Sequence, residues 1–349
     1  MPVVWSERCS LHDPQREHWI GIATPAAEVP ARTAAILASL TAAGAPLVEA
    51  TEHGDEALYA VHDRALVDYL ASAWAEWSAA GLADDPGQPR VVPYVFAHAA
   101  LTPSPVVPAA ATAKAGFFAY DTMSLIGPGS WGAVRAAVDV ALTAVDVVLE
   151  GAPHAYACCR PPGHHACRAC YGGSCYLNNS AVAAAALRER VGPPVAVVDI
   201  DAHHGNGTQE IFYARSDVRV CSTHVDPGAG WFPHFLGFAE ERGSGEGTGA
   251  NLNIPLTPGA GDDVWLDAVG GLAAFANDAK ALVVSLGVDA AAGDPESPLR
   301  VSASGFREAG RIIGRLGLPT VLVQEGGYDL ETIGPLVLET LCGIQEARR

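Results

Sequence analysis

Apolar and polar positions follow two different rhythms along this chain. In the N-terminal half, "VPARTAAILASLTAAG" and "WGAVRAAVDVALTAVDVVLEG" place apolar residues at helical spacing, and each run stops at a glycine. "DEALYAVHDRALVDYLASAWAEW" predicts one longer amphipathic helix. After it comes "ADDPGQPRVVPYVFAHAALTPSPVVPAA", rich in proline and without a sustained period, which predicts a long loop insertion near residues 82–112. The rhythm then changes. "HAYACCR", "PVAVVDID", "VRVCSTHVD", "ALVVSLGVD" and "TVLVQEGGY" are strand-length apolar runs. They alternate with the helical segments "NNSAVAAAALRERVG", "VWLDAVGGLAAFANDA" and "SASGFREAGRIIGRLG". Apolar strands alternating with helices predict an α/β fold, a parallel sheet covered on both faces. There is no internal repeat and no clean linker, so residues 1–349 are expected to form a single domain.

Polar residues sit at the ends of these runs, where open α/β sheets bind their ligands. Asp199, Asp201 and His203 have the i, i+2, i+4 spacing that shares one face of a strand, provided the strand extends that far. Asp289 ends another run. Two carboxylates and one imidazole suit Zn²⁺ with an open fourth position, although Fe²⁺ or Co²⁺ would also be held. Taken singly, an Asp after a strand is most often a cap or turn residue; the combination is what points to a site. "CRPPGHHA" adds the tandem His164 and His165, whose side-chain type suits proton transfer near neutrality. "QEGGYD" adds Tyr328, either a packed aromatic or a hydrogen-bond donor to a developing oxyanion. Together these groups describe metal-assisted hydrolysis of an amide or ester.

Composition narrows the partners. A net charge of -18 disfavours nucleic acid and favours cationic substrates, or serves solubility alone. The N-terminus lacks a basic head followed by an apolar stretch, and no uninterrupted apolar run reaches membrane-spanning length, so a cytoplasmic protein without membrane contact is expected. The eight cysteines lack disulfide-scaffold density. Cys167, Cys170 and Cys175 form C-x₂-C-x₄-C beside the tandem histidines, a spacing open to a metal, a redox or a plain packing reading.

The motifs "RPPGHHA", "DIDAHHGNGTQEIFY", "NLNIPL", "SLGVDAAAGDP" and "EGGYDL" resemble the zinc-dependent histone deacetylase superfamily over nearly the whole chain. "HFLGFAEERGSGEGTGANLNIPL" and the Pro-rich segment look like its bacterial acetylpolyamine amidohydrolase branch. The resemblance implies the three-layer α/β/α arginase-deacetylase fold with an eight-stranded parallel sheet. It implies one Zn²⁺ on Asp201, His203 and Asp289, His165 as general base with His164 as its partner, and Tyr328 polarising the carbonyl. Asp199 would orient His164, and Asn206 stands where many relatives pair an Asp with the second His. A structural K⁺ would sit near Asp199, Asp201, His203 and Ser222. Tyr171, Gly173, Ser174, Phe232 and Glu296 would line the substrate tunnel, with Ser174 replacing an aromatic and Tyr171 compensating for it. The implied reaction removes an acetyl or short acyl group from a small-molecule N-acyl amine, acetylpolyamine-like, in a homodimer built through the long loop. A protein acetyl-lysine deacetylase, a tailoring amidase for a bulkier N-acyl natural product and a silent acyl-amine binding module are the alternatives.

Overall fold

The fold is that of a computed structural model, which describes residues 1–101 and 104–347. Thr102 and Pro103 of the predicted insertion, and Arg348 and Arg349, lie outside the described residues. The strands in chain order are β1 (Val3–Trp5), β2 (Arg16–Trp19), β3 (Ile22–Pro25), β4 (Leu47–Glu49), β5 (His154–Ala157), β6 (Val195–Asp199), β7 (Val218–Val225), β8 (Asn251–Leu256), β9 (Leu282–Leu286) and β10 (Thr320–Gln324). Eight of them form one sheet in the order β4-β1-β5-β10-β9-β6-β7-β8, with every described pairing parallel. β2 and β3 form a separate antiparallel hairpin.

The continuous apolar runs follow from burial on both faces. Val195 and Val197 of β6 enter one core while Ala196 and Val198 enter the other, and β10 divides in the same way, with Val321 and Val323 opposite Leu322. Helices Arg64–Ala79, Ser130–Leu149 and Asn179–Val191 close the first core. Helices Ala31–Ala42, Asp262–Ala276, Ala303–Gly314 and Ile333–Glu346 close the second. Among the described residues no helix is long and apolar enough to cross a membrane.

Two predicted elements differ. The long helix expected after residue 54 is two pieces, Glu56–Tyr59 and Arg64–Ala79. Buried His62 lies at the break; its Nδ1 donates to the Cys167 carbonyl at 3.0 Å and its Nε2 accepts from the Asn178 N–H at 2.9 Å. Those tertiary bonds outweigh helical continuity. β6 stops at Asp199, so Asp201 and His203 leave the strand face and lie in the bend that follows. The insertion contains no helix or strand until Ala111–Phe118, among the described residues.

His62 also couples stability to pH. Burial holds its pKa near 4, below the ordinary 6.5. Its contribution is therefore complete above pH 6.5 and is lost as pH falls through the folded value, on the order of 2 kcal/mol by about pH 5. His62→Gln is expected to lower Tm near neutrality yet lose less on acidification than the wild type. Parallel Tm declines in the two proteins, measured by thermal melts at about pH 7 and about pH 5, would contradict this.

Candidate active site

The central strands β5, β10, β9 and β6 are consecutive neighbours, and the loops after all four converge at one edge of the sheet. The loop after β5 carries His164 and His165. Glu325, directly after β10, fastens it: one carboxylate oxygen accepts from the Gly163 and His164 N–H groups at 2.6 and 3.0 Å. The other oxygen accepts from Ser180 Oγ at 2.8 Å. His164, Cys175 and Glu325 are close enough to share an ion, but these donors already occupy both Glu325 oxygens.

The two imidazoles stand 4.0 Å apart between ring centres and differ in environment. His164 Nδ1 lies 3.0 Å from Asp199 Oδ2. Burial alone would lower the His164 pKa, but the charges of Asp201 and Asp199 outweigh it and push it up to about 10. His165 Nδ1 lies 2.7 Å from Asn206 Oδ1, an acceptor, so the ring proton sits on Nδ1 and Nε2 keeps its lone pair. Burial, with the positive charges of His164 and His203, holds His165 well below the usual range. The surroundings of one ring favour its protonation and those of its neighbour oppose it.

Asp201, His203 and Asp289 offer ligand atoms within 4.8 Å of one another. His203 Nδ1 lies 3.1 Å from Asp289 Oδ2 and 3.3 Å from Asp201 Oδ1. Both carboxylates are fully buried. Ala202 N–H donates to Asp289, while His203 N–H and Gly326 N–H donate to Asp201, at 2.7–2.8 Å. Burial and the Asp201 charge push Asp289 up to about 7. Two buried carboxylates with one imidazole between them form a donor set that fits a divalent cation.

Tyr328 follows two glycines, and its N–H donates to Asp294 Oδ2 at 2.8 Å. The Arg32 guanidinium lies over its ring, 4.7 Å from the centroid, while Arg32 Nε donates to the Gly327 carbonyl at 2.6 Å. Burial keeps the phenol protonated well above its ordinary range.

Phe232 meets His165 edge-on at 4.9 Å. Gly173 approaches so closely that a Cβ would lie 2.5 Å from His165 Cδ2, and its φ of +58° suits glycine. Ser174 also has a left-handed backbone and donates its N–H to Ser124 Oγ at 2.8 Å. Tyr171 does not line a tunnel: it is wholly buried and stacked with Tyr69 and Tyr176 in the core. Tyr120 is the aromatic that stacks with Phe232, and its hydroxyl donates to the His165 carbonyl at 3.1 Å. Glu296 is half-buried, and burial raises its pKa. Glu17 of the hairpin is pushed to about 7 by burial and by the charges of Glu296 and Asp121, so these acids share one region. Ser222 pairs in register with Asp199 and bonds His224 Nδ1 at 2.7 Å.

The residues not found from sequence were Glu325, Arg32, Tyr120, Asp294 and Glu17. Glu325 carried the clearest signal, a carboxylate between a buried strand and Gly-Gly; Arg32 and Glu17 are distant in sequence and carried none.

The chain matches the histone deacetylase domain model over residues 26–344. It belongs to that family and is an amidohydrolase. Acetylpolyamine amidohydrolase 1 of Pseudomonas aeruginosa is 40% identical over 99% of both chains. The acetylpolyamine amidohydrolase of Mycoplana ramosa is 38% identical, also over 99% of each. The crystal structure of acetylpolyamine aminohydrolase from Burkholderia pseudomallei superposes with a TM-score of 0.93 at 38% identity over 99% of both chains. The sheet and its covering helices are the arginase-deacetylase fold.

Proposed function

We propose that this single domain is a zinc-dependent deacetylase of small acetylated polyamine-like amines, working in the cytoplasm. The observation that carries the reading is the placement of His165, its Nδ1 held by Asn206 Oδ1 at 2.7 Å, beside the donor set Asp201, His203 and Asp289. The names of the similar enzymes support the substrate class. When bound by those three residues, Zn²⁺ supplies Lewis acidity toward the amide carbonyl and the attacking water. His165 takes the water's proton at Nε2 while Asn206 holds its Nδ1–H. Asp199, 3.0 Å from His164 Nδ1, orients that second ring beside His165. Tyr328 donates its O–H to the substrate carbonyl oxygen as negative charge gathers there. Asp199 and Ser222, on paired strands beside Asp201 and His203, are the residues we assign to a structural K⁺.

Glu17 and Glu296, close enough to perturb one another, are the carboxylates we assign to an ammonium group of the substrate, and Phe232 and Gly173 lie against His165. The long loop and the hairpin supply nine of the fifteen exposed large apolar side chains among the described residues, including Trp19, Ile20, Tyr94 and Leu101. Such a concentration suits burial against a second copy.

Asp289→Ala is expected to lose the metal, read by metal analysis of the purified chain; full occupancy would refute the ligand assignment. His165→Ala and Tyr328→Phe are expected to keep the metal and lose at least about a hundredfold in kcat, and near-wild-type turnover in either variant refutes the mechanism. Among acetylputrescine, acetylspermidine, neutral N-acetylbutylamine, an acetyl-lysine peptide and a bulky N-acyl amine, the acetylated polyamines are expected to give the highest kcat/KM. Glu296→Gln is expected to raise KM for acetylputrescine and leave N-acetylbutylamine unchanged. Preference for the peptide or for the bulky amine, which Ser174 would favour, overturns the substrate class. Sedimentation is expected to give a dimer that dissociates in Leu101→Asp; a wild-type monomer at micromolar concentration refutes the loop interface.

A further inference from the structure

The cysteine pair flagged by its spacing remains outside the reaction described above. Cys167 is buried and Cys170 is half-buried, at the edge of the loop that carries the two histidines. The Cys167 N–H donates to the Cys170 carbonyl at 2.9 Å, closing a tight turn, and each thiol perturbs the acidity of the other. That backbone bond across two intervening residues draws the two cysteines together, the first requirement for a short-loop disulfide.

The buried member of the pair touches the machinery at two points. Its Sγ donates to the His165 carbonyl at 3.7 Å and accepts from Asn206 Nδ2 at 3.7 Å. The opposite end of the same amide, Asn206 Oδ1, holds His165 Nδ1 at 2.7 Å. Sulfur, amide and imidazole thus form a chain of three groups in direct contact. We propose that Cys167 and Cys170 are a reversible dithiol–disulfide switch that sets the orientation of His165 through Asn206.

The two thiols differ in the way such a switch requires. The neighbouring Cys167 lowers the Cys170 pKa and makes it the more acidic partner, and it is the one that solvent reaches. Cys9, Cys158, Cys159, Cys175 and Cys221 are buried thiols whose pKa values burial raises. With a hydroperoxide as oxidant, the Cys170 thiolate attacks one peroxide oxygen, the O–O bond breaks and Cys170 becomes a sulfenic acid. The Cys167 sulfur then attacks the Cys170 sulfur, the S–O bond breaks and water leaves. Overall two thiols and one hydrogen peroxide give one disulfide and two waters. A dithiol reductant reverses the change by exchange. Drawing the Cys167 sulfur toward Cys170 moves it away from Asn206 Nδ2, and the amide loses the contact that fixes which end faces His165.

The proposal rests on His165 being the base. The experiment treats the reduced, metal-loaded full chain with hydrogen peroxide, blocks remaining thiols and maps peptides by mass. Turnover of acetylputrescine is followed across pH, with metal content measured beside it. The expected result is a peptide joining Cys167 to Cys170, two hydrogens lighter. With it come a loss of about tenfold or more in kcat/KM, a shifted acid limb of the pH profile and unchanged metal content. Dithiothreitol is expected to restore activity. Cys170→Ser is expected to keep the basal rate and resist peroxide. No Cys167–Cys170 bond, a bond with rate and pH profile unchanged, or equal peroxide sensitivity in Cys170→Ser each overturns the switch while leaving the deacetylase reading intact. A reduced enzyme that hydrolyses no N-acyl amine overturns that reading, and the switch with it.

Discussion

The structure depends on keeping two carboxylates, Asp201 and Asp289, wholly buried within reach of one another. An unpaired buried charge is strongly unfavourable, so the fold surrounds this pair with backbone N–H donors from Ala202, His203 and Gly326 and with the His203 ring. The close approach explains two glycines. A Cβ at Gly287 would fall 2.0 Å from Asp201 Oδ2, and one at Gly326 would fall 2.2 Å from Asp289 Oδ2. Parallel topology supplies the rest, because only adjacent strands running the same way bring the ends of β6 and β9 to one edge. What remains is a residual demand for positive charge, visible in the raised pKa of Asp289, at a group of side chains that could hold a metal ion.

A second buried network carries this rigidity to Tyr328. Glu28 accepts from both Arg32 and Arg160, and those two cations outweigh the burial that would otherwise favour its neutral form. Arg32 goes on to hold the carbonyls of Glu325 and Gly327, on either side of Gly326. Arg160 reaches the Cys9 carbonyl at 2.8 Å. The N-terminal segment, the loop after β5 and the glycine pair after β10 are thereby tied together. Removing Glu28 would strand two buried guanidinium groups, so its role in aiming Tyr328 is inseparable from its role in folding.

Legibility in the sequence followed burial and length. β6, β9 and β10 were readable because both faces are covered, which leaves uninterrupted apolar runs bounded by turns. β1 and β4 are three residues each, too short for any period to register. The C-terminal helix Ile333–Glu346 was not identified, because Gly334 and Pro335 at its start interrupt the pattern that would mark an amphipathic run. The candidate metal-binding set was named through a strand-face argument, but the chain leaves the strand at Asp199 and turns Asp201 and His203 inward by backbone hydrogen bonds. Residue type and proximity to a strand end survived that difference; the assumed periodicity did not. Tyr171 failed for a related reason, because sequence distance from Ser174 says nothing about which side of the loop meets the core.

The tandem histidines show why identity alone cannot assign chemistry. The two rings are adjacent in sequence, almost in contact and equally buried, yet their pKa values move in opposite directions. An aspartate accepts the hydrogen bond of one ring and a neutral amide accepts that of the other. Had Asn206 been an aspartate, its charge would favour protonation of His165 and erode the difference between the rings. The proton that His164 already holds does the opposite, since a second positive charge 4.0 Å away is disfavoured in a buried site. A carboxylate beside one ring and a neutral amide beside the other thus give a repeated residue two different environments before any substrate enters.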